Sequence, residues 1–101
     1  MNVDIRKEQN KIVVAPSGYI DEETAHSFRR ALDDAIHGYP DGIVLDFTDV
    51  DFMDSTGIGM MLSRYKVMRQ NDITLSVRNV NKQVDKLFRL TGIYSILNLE
   101  R

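Results

Sequence analysis

Ile43-Val44-Leu45-Asp46-Phe47 is a nearly continuous apolar run, and its reading decides the fold. A strand exposed on one side alternates apolar and polar residues; this run does not, so it reads as a central strand covered on both faces. A loop from Thr48 to Asp54 follows it. Ile58, Met61, Leu62, Tyr65 and Met68 then recur at helical spacing until Asn71-Asp72 breaks the pattern. Upstream, Ala25, Phe28, Leu32, Ala35 and Ile36 share one helical face. Asp21 stands before that helix as its expected N-cap, Gly38 follows it, and Pro40 bars its continuation.

The rest of the chain extends this alternation of periods. Val3 and Ile5 alternate with Asp4 and Arg6, and Gln9-Asn10 turns the chain into Ile12-Val13-Val14-Ala15. Two such runs joined so tightly predict an antiparallel hairpin. Pro16 and Gly18 end its second strand. Ile73, Leu75 and Val77 predict a further strand; Val84, Leu87 and Phe88 predict a third helix closed near Gly92; Ile96-Leu97-Asn98-Leu99 predicts a short last strand. The expected order is β-β-α-β-α-β-α-β, a single α/β domain over residues 1–101 with a mixed, mostly parallel sheet of four to five strands. Right-handed crossovers place the first strand antiparallel at or near an edge. In such a sheet the loops leaving the carboxyl ends of the strands share one rim. Here those are Pro16 to Asp21, Thr48 to Asp54 and Arg78 to Val80, so Asp21 and Ser55 are expected on the same rim.

Composition narrows the function. The 101 residues are 43% apolar and 28% charged, with a net charge of −2, as in ordinary globular domains. That balance lacks the positive field needed to hold a nucleic-acid backbone. No cysteine is present, which excludes disulfides, thiolate zinc sites and cysteine nucleophiles. No apolar run approaches the roughly 20 residues that span a bilayer, and no h-region follows Met1, so the expected compartment is the cytoplasm. No cofactor or metal set is indicated.

Ser55 falls at the start of the second helix, where backbone N–H groups lack partners and the field favours anions. Read simply, it is an N-cap contributing about 1 kcal/mol. Gly57 and Gly59 lower helix propensity by roughly 1 kcal/mol each relative to alanine, and they remove bulk around the hydroxyl. Loosening a helix start in this way suggests that something must reach Ser55.

Phe52-Met53-Asp54-Ser55-Thr56-Gly57-Ile58-Gly59, running on to Ser63-Arg64-Tyr65-Lys66, resembles the phosphorylation segment of bacterial anti-sigma factor antagonists of the STAS family. The strand Ile43–Phe47, and Gly18-Tyr19-Ile20-Asp21 before the first helix, are similar to that family as well. The resemblance implies a partner-switching cycle. The unphosphorylated antagonist binds an anti-sigma factor that is also a serine kinase of the histidine-kinase-like ATPase fold, and thereby frees the sigma factor. Phosphorylation of the serine matched by Ser55 ends binding, and a metal-dependent phosphatase reverses it. Ser55 would then be a substrate residue, and the resemblance carries Asp21 over as part of the partner-facing rim; Asp54, Thr56 and Gly57 beside Ser55, with Met60 one turn on, are the further candidate partner-binding residues. With Asp49, Asp51 and Asp54 making the rim acidic, a phosphate would repel an acidic partner surface and obstruct a contact that closes over a bare hydroxyl. STAS domains also serve as accessory subunits of membrane transport systems, and related switches control targets other than sigma factors. Family members often continue past the last strand into a further helix; this sequence stops at Arg101, so the face under that helix is expected to be open.

Four further expectations follow from the residues. Met60 and Val67 project roughly opposite the core stripe of the second helix, which makes Met60 an outward, adaptable contact one turn from Ser55. His26 and His37, eleven residues apart on the first helix, are expected at exposed positions. A serine hydrolase is disfavoured, because positions 53 and 57 are Met and Gly where the Gly-x-Ser-x-Gly elbow needs glycine on both sides, and no histidine follows Ser55. A phospho-aspartate receiver is disfavoured because the acidic pair after an early parallel strand is missing.

Overall fold

A computed structural model describes residues 1–99. Their order is β1 (Val3–Glu8), β2 (Lys11–Pro16), β3 (Gly18–Ile20), α1 (Ala25–His37), β4 (Gly42–Asp46), β5 (Val50–Met53), α2 (Ser55–Gln70), β6 (Thr74–Arg78), α3 (Lys82–Thr91), a 3-10 turn (Ile93–Ser95) and β7 (Asn98–Leu99). Five strands form one sheet in the order β1-β2-β4-β6-β7. β1 and β2 are the antiparallel hairpin, with Gln9 at positive φ in its turn, and the remaining pairs are parallel. The mixed, mostly parallel sheet and the edge position of β1 are as the sequence predicts.

β4 is central, and Gly42 through Leu45 are all buried. Because side chains alternate between faces, the register puts Val14, Leu45 and Val77 on one face with Ile43 and Leu75. These join Phe28, Leu32, Met61 and Phe88 in the main core. Phe47 anchors it, with ring centroids 6.1 Å from Phe28 and 6.0 Å from Phe88. The opposite face buries Val13, Val44 and Ser76. Charged side chains span that face: Arg6 and Arg78 both reach Asp46, at 3.6 and 3.4 Å, and both pair with Glu8.

The structure departs from the sequence reading in several places. Gly18–Ile20 and Val50–Met53, read as connections, pair in parallel as a separate two-stranded sheet. Among the described residues the last strand is Asn98–Leu99, and Ile96 and Leu97, read as its start, precede it after a 3-10 turn. α3 ends as expected on Gly92, whose φ of 73° is a conformation open to glycine. No helix of the described residues is long and apolar enough to cross a membrane. Glu100 and Arg101 lie outside the described residues.

Candidate functional site

The small sheet brings the two rim loops together. β3 and β5 run in parallel with Ile20 opposite Met53, so Asp21 and Asp54 each follow the end of a paired strand. The Asp54 N–H donates to the Ile20 carbonyl at 3.1 Å, which continues that pairing one residue further. Asp21 and Ser55, 34 residues apart in sequence, thus share the expected rim.

Asp54, and not Ser55, caps α2. Its backbone is extended and its carboxylate accepts the Thr56 N–H at 2.9 Å. Ser55 is therefore the first helical residue, a correction to its reading as the N-cap. It is exposed, and among the described residues its hydroxyl makes no hydrogen bond. Two capping-competent residues stand side by side here, and the first takes the structural task. The second is left with a free hydroxyl at a helix start, where the field favours an anion. Thr56 is also exposed, and its N–H is what the cap satisfies.

Asp21 heads a separate turn instead of capping α1. Its Oδ1 accepts the N–H groups of Glu23 and Thr24 at 3.0 and 3.3 Å. The N-cap position belongs to Thr24, whose side chain gives no cap bond. The Thr24 hydroxyl instead donates to the Tyr19 carbonyl at 2.6 Å and accepts the Asp21 N–H at 2.9 Å. Asp21 is half-buried and held within this turn.

Two expectations about α2 need correction. Met60 does not project outward: it is 9% exposed and part of the core, whereas Leu62, read as core, is 41% exposed. The physical reason is that α2 packs against α1, α3 and β6, so its buried surface is wider than one stripe. Gly57 is likewise buried. A Cβ there would lie 2.5 Å from Met53 Cε and 2.9 Å from Ile20 Cγ2, so this glycine lets α2 sit down on the β3–β5 sheet. Gly59 is exposed, and a Cβ there would meet nothing within 4 Å. Arg64, in the segment resembling the family, pairs with Asp33 of α1 at 2.6 Å and so joins the two helices.

Charge on the rim is uncompensated. Among the described residues, Asp21, Glu22, Glu23, Asp49, Asp51 and Asp54 form no ion pair, while Glu8, Asp33, Asp46 and Asp85 all do. Tyr19 and Phe52 lie side by side on the exposed face of the small sheet, their rings tilted by 38° with centroids 5.6 Å apart. His26 and His37 are exposed on α1, as expected, and their ring nitrogens contact Arg30 and the Asp33 carbonyl.

The segment leading to Ser55 is pinned at its start by Asp46. Burial raises its pKa, but hydrogen bonds from the Thr48 hydroxyl and N–H and from Asn79, with the charge of Arg78, outweigh burial and hold it at about 2. The distances are 2.6, 3.0 and 3.3 Å. A folded pKa below the unfolded value of about 3.9 stabilises the fold above that value, and this contribution is lost as pH falls towards 2. Asp46→Asn is therefore expected to cost about 2 kcal/mol at pH 7. Its deficit against the parent should shrink below pH 4 and close near pH 2, as read by denaturant unfolding at each pH.

Sequence reading missed Asn81 and Gln83. Asn81 caps α3 by accepting the Val84 N–H at 2.9 Å, and its amide donates to the Val50 and Asp51 carbonyls at 3.0 and 3.2 Å. Gln83 binds both backbone groups of Met53. A polar residue opening a helix signals a cap, but no local pattern signals a bond across 30 residues.

Comparison with known proteins agrees with this architecture. A profile described as the STAS domain matches residues 2–101. The anti-sigma F factor antagonist of Paenibacillus polymyxa is 34% identical over 100 residues, covering 96% of this chain and 86% of that protein. The anti-sigma-B factor antagonist of Listeria monocytogenes is 31% identical over 105 residues, covering 99% and 90%. Among solved structures, the anti-sigma factor antagonist SpoIIAA in its unphosphorylated form has a TM-score of 0.83 at 20% identity, covering 99% of this chain and 89% of that one. SpoIIAA from Bacillus in its phosphorylated form has a TM-score of 0.74 at 20% identity, covering 99% and 92%. At such identity these two show the fold. The profile across nearly every residue, joined to the β3–β5 rim and the α2 start, places this chain in the STAS domain family.

Proposed function

We propose that this chain is an anti-sigma factor antagonist, switched by phosphorylation of Ser55. The observation that carries the reading is the division of labour at the start of α2. Asp54 does the capping, and Ser55 presents a hydroxyl with no hydrogen-bond partner among the described residues. A kinase needs such a group: exposed, close to the surface backbone, and dispensable to the fold. Ser55 is then the substrate of another protein's chemistry and not a catalyst.

In the unphosphorylated state an anti-sigma factor closes over Ser55 and Thr56, with Asp21 and Asp54 at the border of the contact. Gly57 and Met60 lie beneath that face and shape it from within. A phosphoryl group brings about −1.5 to −2 charges and three strong acceptors. The helix start tolerates them while the site is open to water. Under a closed partner they must lose hydration beside the Asp54 carboxylate, and the contact fails. SpoIIAA, solved with and without phosphate, shows that a protein of this fold accommodates both forms. The partner is the anti-sigma factor acting as serine kinase, a metal-dependent phosphatase resets the cycle, and the need for ATP puts it in the cytoplasm.

The test is incubation with the anti-sigma factor of the same cell and ATP. Phosphate is expected on Ser55 and none on Ser55→Ala, with mass spectrometry locating the label. A Ser55→Ala chain labelled as well as the parent would overturn the assignment.

A further inference from the structure

Among the described residues, the two-stranded sheet leaves β5 with an edge that no strand covers. Side chains from the start of α3 fill that edge. Gln83 Oε1 accepts the Met53 N–H at 2.9 Å, and Gln83 Nε2 donates to the Met53 carbonyl at 2.7 Å. A neighbouring strand offers a backbone the same pair of groups. On the other edge Ile20 pairs with Met53, and its carbonyl accepts the next N–H, that of Asp54. The chain is thus held from both sides at the residue two before Ser55, with the Met53 side chain fully buried between.

We propose that Gln83 is the positioning residue for Ser55. Its carboxamide acts as a one-residue strand that fixes Met53, and through Met53 the Asp54 cap and the direction of the Ser55 hydroxyl. The proposal rests on Ser55 being the phosphorylated residue. It makes α3 part of the switch: α3 contributes the side chain that sets the backbone from which Ser55 is presented. A side-chain clamp suits this position better than a third strand would. It satisfies the buried backbone groups of one residue and leaves Asp54 and Ser55, immediately beyond, open to a partner.

Two variants test it. Gln83→Ala removes both bonds, and Gln83→Glu keeps an acceptor for the Met53 N–H but turns a carboxylate on the Met53 carbonyl. Protonation of that glutamate restores the missing donor. With the anti-sigma factor of the same cell and ATP, kcat/KM for phosphorylation is expected to fall about tenfold in Gln83→Ala, the scale of a small misplacement of a reacting group. The rate of Gln83→Glu relative to the parent should rise as pH is lowered from 7.5 to 5.5, a dependence that mere loss of packing would not produce. Hydrogen exchange at the Met53 amide, followed by NMR, should accelerate in Gln83→Ala while amides in β4 and β6 keep their protection. A Gln83→Ala chain phosphorylated at the parent rate, with Met53 exchange accelerated, overturns the positioning role alone. A parent chain that takes no phosphate removes the Ser55 reading itself, and the proposal with it.

Discussion

Ser55→Glu is expected to weaken binding of the anti-sigma factor by about a hundredfold or more, equivalent to about 2.7 kcal/mol, while leaving Tm close to that of the parent. The two halves of this expectation have separate causes. Folding is spared because Ser55 is exposed, makes no internal hydrogen bond among the described residues, and occupies the first helical position. A negative charge there is favourable to the helix by about 0.3–1 kcal/mol. Binding should suffer because, in the contact proposed above, the carboxylate would be stripped of water beside the Asp54 carboxylate, and an uncompensated buried charge costs several kcal/mol. Titration calorimetry with the anti-sigma factor reads the first half and differential scanning calorimetry the second. Undiminished affinity both for Ser55→Glu and for the phosphorylated chain would remove the charge veto.

The second large effect separates two glycines that look alike in sequence. Gly57→Val is expected to destabilise the fold by about 2–3 kcal/mol, through overpacking against Ile20 and Met53. Met53 Cε can swing aside, but Ile20 belongs to β3 and holds the rim in register, so α2 must lift from the small sheet. Gly59→Ala should instead stabilise the fold by about 0.5–1 kcal/mol, since its new methyl meets open space and alanine is the better helix former. The two chains should differ by about 3 kcal/mol in denaturant unfolding. Similar stabilities would mean that α2 does not sit on β3 and β5 as described.

What could be read without coordinates was set by the range of each interaction. The helical period of α1 and α3 records one buried face each, and the continuous apolar runs of β2 and β4 record strands buried on both faces; these elements, with β1 and β6, appear where expected. β3 and β5 escape such reading because three or four residues are too few to show a period, and each finds its partner in the other, with Ile20 opposite the distant Met53. The buried residues of α2 were misjudged at Met60 and Leu62 because neighbours on several sides leave no single stripe. Ser55 was legible as a helix-start hydroxyl, yet Asp54 beside it is an equally good cap. Only the extended backbone of Asp54 settles which of them caps. Gln83 carried no signal, since a glutamine bonded to a distant backbone reads as any polar helical residue.

β1 carries a further consequence. It borders the main sheet with Asp4, Arg6, Lys7 and Glu8 along its length, and all of them are exposed. A second chain trying to zip onto that border would have to strip water from charges of both signs lying in its path. Crowded copies of this protein should therefore stay apart as monomers at this border instead of stacking into continuous sheets. That would leave the rim at the start of α2, on which the proposed switch depends, unobstructed by other copies of the chain.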